Sequence, residues 1–404
     1  MEYNFYKRTP ETSSNLGISY DLGSLMHYGP TDFTKSYDSY TITSHDPRYQ
    51  RTIGNRMGLS FKDSKMINTR YCSNICKRKL ACQNGGYTDP NNCRQCRCPD
   101  GFGGTYCDQV PVGNVPSCGG LELDAGVDWQ SIQSPNLTSN MRCYWRIRSP
   151  VGERLALYVQ NISFPCRNAC HNFVEVKYTH DKTLSGARFC CETDKKPFLS
   201  DNNEVLVILR TSAYVSNDYT GEIRRETYKK LGISFDKNYL NTRRQQLSEN
   251  QFDDGTEAFV NRDFAHQLFE SDIVLTSPQA RSILNEIKRS LPLRPHSRTK
   301  GLKKRISRQI HPDPTLFWQS TRIPYRFSYD DRYWQESVRA GIRHVEQHTC
   351  FRFIENGTGR DYLRFDWARG CWSNIGRVGG GQLVSIGTGC DYLGIIAHEI
   401  GHAL

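Results

Sequence analysis

The sequence predicts a multidomain α+β protein, and three observations carry that prediction. At 404 residues the chain is too long for one ordinary domain of roughly 100–200 residues. Its cysteines cluster: seven lie from Cys72 to Cys107 and six from Cys118 to Cys191, none falls in 192–349, and Cys350, Cys371 and Cys390 follow. Strand-length apolar runs occupy the middle, whereas two helical patterns stand near the carboxyl end.

Composition narrows the class before any motif is read. No apolar run approaches the ~18–20 residues needed to span a bilayer, and the longest, Val205-Leu-Val-Ile-Leu209, reads as a buried strand. A net charge of +11 invites nucleic-acid binding. Sixteen cysteines without tidy zinc spacing argue against it, because they belong to an oxidising compartment. The sequons at Asn136, Asn161 and Asn356 fit a secreted glycoprotein. Met1-Glu-Tyr-Asn-Phe-Tyr has no apolar stretch and is no signal peptide. The expectation is a secreted, extracellular chain with no nucleic acid and no membrane span.

Residues 1–72 and 309–404 are understood only together. In 73–108, six cysteines staple two short hairpins whose turns are Asn84-Gly85-Gly86 and Pro99-Asp100-Gly101. Cys82-Gln-Asn-Gly-Gly-Tyr and Cys96-Arg-Cys98-Pro-Asp-Gly-Phe-Gly-Gly-Thr-Tyr-Cys107 resemble an EGF-like domain. Fifteen pairings are open to six cysteines; the resemblance implies first with third, second with fourth and fifth with sixth. A zinc knuckle is the rival reading, weakened by the lack of a nearby histidine, and no calcium is expected.

In 118–224, segments around 154–159, 173–178 and 204–209 are strand-like and separated by turn residues. Cys118-Gly-Gly, Tyr144-Trp-Arg-Ile147 and Tyr219-Thr-Gly-Glu-Ile223 resemble a CUB domain, an all-β sandwich. That resemblance implies a Cys118–Cys143 bridge. Cys166, Cys170, Cys190 and Cys191 form two more with partners undetermined, although adjacent Cys190 and Cys191 point to opposite faces and choose different ones.

Residues 225–308 are polar and free of cysteine. The basic run Lys300-Gly-Leu-Lys-Lys-Arg-Ile-Ser-Arg308 reads as a solvated linker, a phosphate-binding or nuclear signal, or a processing site after Arg305 or Arg308. The processing site is preferred, because a new folded region follows directly.

The chemistry is concentrated at the carboxyl end, Gly394-Ile-Ile-Ala-His398-Glu399-Ile-Gly-His402-Ala-Leu404. Histidines at i and i+4 share a helix face and can converge on one zinc, while Glu399 can relay a proton from water to a leaving amine. Upstream stand a strand at 323–327 and an amphipathic helix at 330–347, then Cys350-Phe-Arg-Phe353, Gly370-Cys-Trp-Ser-Asn-Ile-Gly376 and Gly379-Gly-Gly-Gln-Leu-Val-Ser-Ile-Gly387. Together these resemble the first half of the catalytic domain of an astacin-family zinc metalloendopeptidase, of metzincin type. The resemblance implies one Zn2+ per catalytic domain, a Cys371–Cys390 bridge, and an edge strand around 382–385 that takes the substrate as an added strand. Leu268-Phe-Glu-Ser-Asp272-Ile-Val-Leu275 is similar to the family's propeptide motif, which implies that Asp272 occupies the zinc and keeps the enzyme latent. Ser271 stands where the motif carries glycine.

The other half is at the amino end. Leu16-Gly-Ile-Ser-Tyr-Asp-Leu-Gly-Ser-Leu-Met26-His-Tyr28-Gly-Pro30, Ile53-Gly-Asn-Arg56-Met-Gly-Leu-Ser60 and Ile67-Asn-Thr-Arg-Tyr-Cys72 resemble the family's Met-turn region and domain end. By that resemblance Met26 underlies the zinc, Tyr28 binds the resting metal and then donates to the oxyanion, and Arg56 favours an acidic side chain just after the scissile bond. His27 is committed to the turn.

The halves therefore stand in reversed order. Such an order fits a read-through of two neighbouring, similar genes, cut at both ends; the alternative is a permuted protein whose ends meet, with Cys350 bridged to Cys72. In either case the family's third zinc histidine, six positions after His402, is not in these 404 residues. Weak zinc binding and little or no peptidase activity are expected of this chain taken alone. Two functions stay open: zinc-dependent hydrolysis of extracellular proteins or peptides, and a non-catalytic extracellular protein binding partners through its CUB and EGF-like modules.

Overall fold

The computed structural model describes residues 13–34, 39–162, 164–191, 196–212, 256–290 and 313–404. Tyr219–Ile223, the basic run at 300–308 and the polar stretch at 243–250 lie outside them.

Helix α1 (Phe61–Tyr71) closes the amino-terminal segment, started by a reciprocal pair of bonds between Ser60 and Asp63. A small hairpin follows, β1 (Tyr87–Asp89) with β2 (Asn92–Arg97). Its cysteines pair 76 with 93, 82 with 96, and 98 with 107. Asn84, Gly85 and Gly101 all adopt positive φ at the turns.

The middle module holds β3 (Gly119–Asp124), β4 (Arg142–Arg148), β5 (Ala156–Leu157), β6 (Phe173–Lys177), β7 (Ala187–Phe189), β8 (Phe198–Leu199) and β9 (Glu204–Arg210). Five of them form one sheet in the order β3-β4-β9-β6-β7, and β5 pairs with β8. Cys118 bonds Cys143, Cys166 bonds Cys191, and Cys170 bonds Cys190. The strand read at 154–159 is reduced to the two residues of β5.

The 256–290 segment carries α2 (Glu257–Asn261) and α3 (Ser277–Ser290). In the last segment come β10 (Arg322–Phe327), α4 (Arg332–His348), β11 (Arg352–Glu355), β12 (Tyr362–Asp366), β13 (Cys371–Trp372), β14 (Gly381–Ile386) and α5 (Leu393–Ala403). Their sheet order is β11-β10-β12-β14-β13, parallel except for β13. One expectation is corrected here. Residues 382–385 lie in β14, which pairs with β12 along 381–385 and with the two-residue β13 at Ser385 and Ile386, so the last strand in the sheet order is β13.

The two ends of the chain build one core. Leu25 is buried among Trp334, Val338, Ile342, Ile396 and Ile400, with Leu59, Ile67 and Tyr71 packed alongside. The disulfide Cys72–Cys350 ties the segments across 278 residues. Asn68 Nδ2 donates to the His348 carbonyl at 2.9 Å, and Leu59 N–H donates to His344 Nε2 at 3.0 Å. A Cβ on Gly394 would stand 1.6 Å from the Arg56 carbonyl oxygen, so only glycine lets the amino-terminal backbone lie against α5.

The joint yields two predictions. Replacing Cys72 and Cys350 together by serine lowers unfolding free energy by about 4 kcal/mol, read from denaturant midpoints, because the longest loop is no longer closed in the unfolded chain. Burial, helped by His348 and Arg97, pushes the His344 pKa down to about 3. An unfolded histidine takes its proton near pH ~6.5, so stability falls as pH drops from 6.5 towards 3. His344→Gln, which keeps an acceptor and cannot ionise, should show a smaller loss between pH 7 and 4.

Candidate metal centre

Helix α5 is buried along almost its whole length, His398 and Glu399 at 0% exposure and His402 at 7%. Polar side chains in such a place need partners. His398 Nδ1 faces the Leu25 carbonyl at 3.1 Å. That oxygen can only accept, so the ring carries its proton on Nδ1 and turns the Nε2 lone pair inward. His398 Nε2 and His402 Nε2 stand 3.0 Å apart, with the ring planes at 90°.

The third group comes from 256–290. Asp272, also at 0% exposure, places Oδ2 at 3.0 Å from His398 Nε2 and 3.5 Å from His402 Nε2. These three donor atoms lie within 4.8 Å of one another. Zinc holding ligands at about 2.0–2.1 Å in a tetrahedron sets neighbouring donors ~3.3 Å apart. Two neutral imidazoles and a carboxylate at this spacing fit such an ion.

Asp272 is presented by a tight loop. Phe269 and Ile273 exchange backbone N–H···O bonds, each 2.9 Å, and Glu270 and Ser271 between them take positive φ of 53° and 73°. The second value explains why glycine suits position 271. The segment then joins the edge of β13: Ser373 N–H donates to the Asp272 carbonyl at 3.0 Å, and Val274 N–H donates to the Ser373 carbonyl at 2.9 Å, in parallel register.

The remaining residues singled out from sequence surround this group. Met26 underlies α5, its Sδ 3.0 Å from where a Cβ of Gly401 would be. Cys371 is bonded to Cys390. His27 is held by its turn, Nδ1 facing the Tyr28 carbonyl at 2.7 Å. The Tyr28 hydroxyl donates to the Glu270 carbonyl at 3.1 Å, which ties it to the loop that presents Asp272. Arg56 is buried and donates to both oxygens of Glu257, Nε to Oε2 at 2.7 Å and Nη2 to Oε1 at 2.5 Å. Burial works against ionisation of Glu257, but Arg56 and His398 hold its pKa down to about 2.

Two residues were missed by sequence reasoning. Nothing marks Glu257 in a polar, acidic stretch. Asp63 had a usable signal, the Ser60-x-x-Asp63 pattern ahead of a helix. Besides capping α1 it accepts from Ser24 Oγ at 2.6 Å and Leu25 N–H at 2.8 Å, which aims the Leu25 carbonyl at His398. Burial pushes its pKa up to about 6 even so.

Comparison with known proteins agrees with this geometry. The family model for Astacin, a peptidase family, matches residues 1–72 and 311–404, and that for the CUB domain matches residues 118–219. The two end stretches are thus astacin-type sequence. Zinc metalloproteinase nas-37 of Caenorhabditis elegans is 51% identical over 209 residues, 52% of this chain and 26% of that protein. Zinc metalloproteinase nas-30 of the same organism is 41% identical over 206 residues, 51% of this chain and 27% of that protein. The chain therefore spans about a quarter of the length of these relatives. A hatching enzyme zinc-protease from Oryzias latipes is 34% identical over 22% of this chain and 48% of that one, with a TM-score of 0.22, too low to speak for the fold.

Ser271→Gly should relieve the strained loop and raise stability by about 1 kcal/mol, seen as a higher melting temperature. A lower one would mean that the serine side chain holds the loop.

Proposed function

We propose that this chain is built for zinc-dependent hydrolysis of peptide bonds in extracellular proteins and is held latent by its own 256–290 segment. The observation that carries the reading is the meeting of His398 Nε2, His402 Nε2 and Asp272 Oδ2, drawn from two separate segments and oriented by a third. His398 and His402 would hold zinc, with Asp272 as the latency ligand. When bound, zinc supplies Lewis acidity and makes water a competent nucleophile near neutral pH.

The chain's own residues supply the rest. Glu399, adjacent to His398 on α5, takes a proton from the attacking water and passes it to the leaving amine. Tyr28, released from Glu270, donates to the developing oxyanion. The edge of β13 pairs with an extended peptide once Asp272 and Val274 leave it. Arg56 receives an acidic side chain beside the scissile bond. Residues 1–72 and 309–404 act as the two halves of one catalytic domain, 73–108 as an EGF-like module, 118–224 as a CUB domain and 225–308 as propeptide and linker. Eight disulfides among the described residues support an extracellular setting. No helix among those residues is long and apolar enough to cross a membrane.

A binding role through the CUB domain is favoured by one feature, the exposed Val127 and Trp129. The two readings separate by experiment. The family's third zinc histidine is not in these 404 residues, so the chain cut at the basic run and supplied with zinc should hydrolyse an unfolded protein only weakly, and Glu399→Ala should slow that residual hydrolysis by about 10²–10⁴-fold. Hydrolysis indifferent to that change would exclude the peptidase reading. In the intact 404-residue chain, Asp272→Ala should weaken zinc retention on dialysis by more than about tenfold, since it removes a direct ligand; unchanged retention would remove Asp272 from the ligand set.

A further inference from the structure

We infer that α2 is a second lock, distinct from Asp272, that imitates an acidic peptide: Glu257 fills the carboxylate fork of Arg56, and Asn261 fills the edge of β13 at Cys371. The inference rests on the reading of Arg56 and β13 as peptide-binding positions.

Arg56 is aimed by its own segment. Its Nη1 donates to the carbonyls of Leu25, His27 and Asn55 at 3.0, 3.0 and 2.9 Å. The opposite edge of the guanidinium, Nε and Nη2, is thereby presented in a set direction, and two parallel N–H groups match one carboxylate. Glu257 supplies it with the side chains at 4% and 0% exposure. The carboxylate is also beside the histidines, Oε1 standing 3.5 Å from His398 Nε2. A side chain placed there by a bound peptide would be next to the reacting bond. Separating the pair takes a bidentate carboxylate away from a buried guanidinium, a change that favours entry of another carboxylate.

Asn261 does with an amide side chain what a neighbouring strand does with its backbone. Its Oδ1 accepts from Cys371 N–H at 2.8 Å and its Nδ2 donates to the Cys371 carbonyl at 2.5 Å. That two-bond exchange is the one a paired antiparallel residue makes. Nδ2 also donates to the Ser271 carbonyl at 2.8 Å, coupling the helix to the aspartate loop. Cys371 is covered by Asn261 and Ser373 by the 272–274 backbone, so the outward groups of the edge are occupied at both positions. Blocking the metal with Asp272 needs only the 269–273 loop; α2 covers positions the loop does not reach.

Hydrogen exchange on the full 404-residue chain separates the locks without any peptidase assay. Glu257→Gln keeps the shape and removes the charge; amides in 257–261 and that of Cys371 should exchange at least about tenfold faster, while those of Ile273 and Val274 keep their protection. Asn261→Ala should expose the Cys371 amide alone. In Glu257→Ala, millimolar propionate should restore protection and propionamide should not. Unchanged exchange in Glu257→Gln, equal rescue by the neutral amide, or loss of protection throughout the chain in both Glu257 variants would overturn the proposal. Hydrolysis insensitive to Glu399→Ala would instead overturn the peptidase reading and leave these exchange results standing.

Discussion

Everything in the carboxyl-terminal segment turns on the cost of burying imidazole and carboxylate groups on an apolar helix. Helix α5 is enclosed on nearly all sides, yet it carries His398, Glu399 and His402. Polar atoms removed from water must be met by other polar atoms, or the burial is lost. Its own segment does not supply all of them. One acceptor comes from Leu25, some 370 residues away along the chain, and a carboxylate comes from Asp272. The meeting of the chain's two ends follows from that need as much as from the apolar contacts around Leu25.

Charge is balanced in the same small volume. Two carboxylates, Glu257 and Asp272, lie near two imidazoles, and the Arg56 guanidinium stands against Glu257. Asp272 disfavours the ionised form of Glu257, whereas Arg56 and His398 favour it and win. A buried pair of this kind adds little to stability against an apolar alternative, and its worth lies in orientation. Here it orients a short helix over positions that the aspartate loop leaves uncovered. The loop itself keeps two non-glycine residues, Glu270 and Ser271, at positive φ, a strain tolerated because hydrogen bonds on both sides determine the backbone.

The CUB domain is part of this arrangement. The amino-terminal segment has few apolar residues of its own between 39 and 60, and it borrows from the neighbouring sheet. Tyr49 is buried among Leu155, Val176, Tyr178 and Val205. Thr52 Oγ1 donates to the Gly186 carbonyl and accepts from Arg188 N–H, at 3.1 and 3.0 Å. The small three-disulfide module touches both sides. Phe102 packs on Leu206, and Asn91 Nδ2 donates to the Glu346 carbonyl at the end of α4 at 2.9 Å. Nearer the turn that carries Met26 and Tyr28, Asp21 Oδ1 accepts from Ser185 N–H of the CUB domain at 3.0 Å.

Much of this could be read from the sequence, wherever the signal is local. Histidines at i and i+4, glycine turns between cysteines, and alternating or periodic apolar residues depend only on near neighbours and on covalent geometry. The strands at 173–177 and 204–210 and helix α4 emerged from such patterns within a residue or two. What pairs with what across space is not local. The edge of the sheet fell to β13 and not to 382–385, because strand order depends on which neighbour each ladder finds. Tyr28 bonds the carbonyl of Glu270, 242 residues away along the chain, a partner that no local pattern announces. Glu257 found Arg56 only when two segments about 200 residues apart folded together. A sequence specifies which side chains can bond; in a chain whose ends fold on each other, tertiary packing decides which of them do, because each buried polar group takes the partner that the surrounding apolar contacts bring within reach.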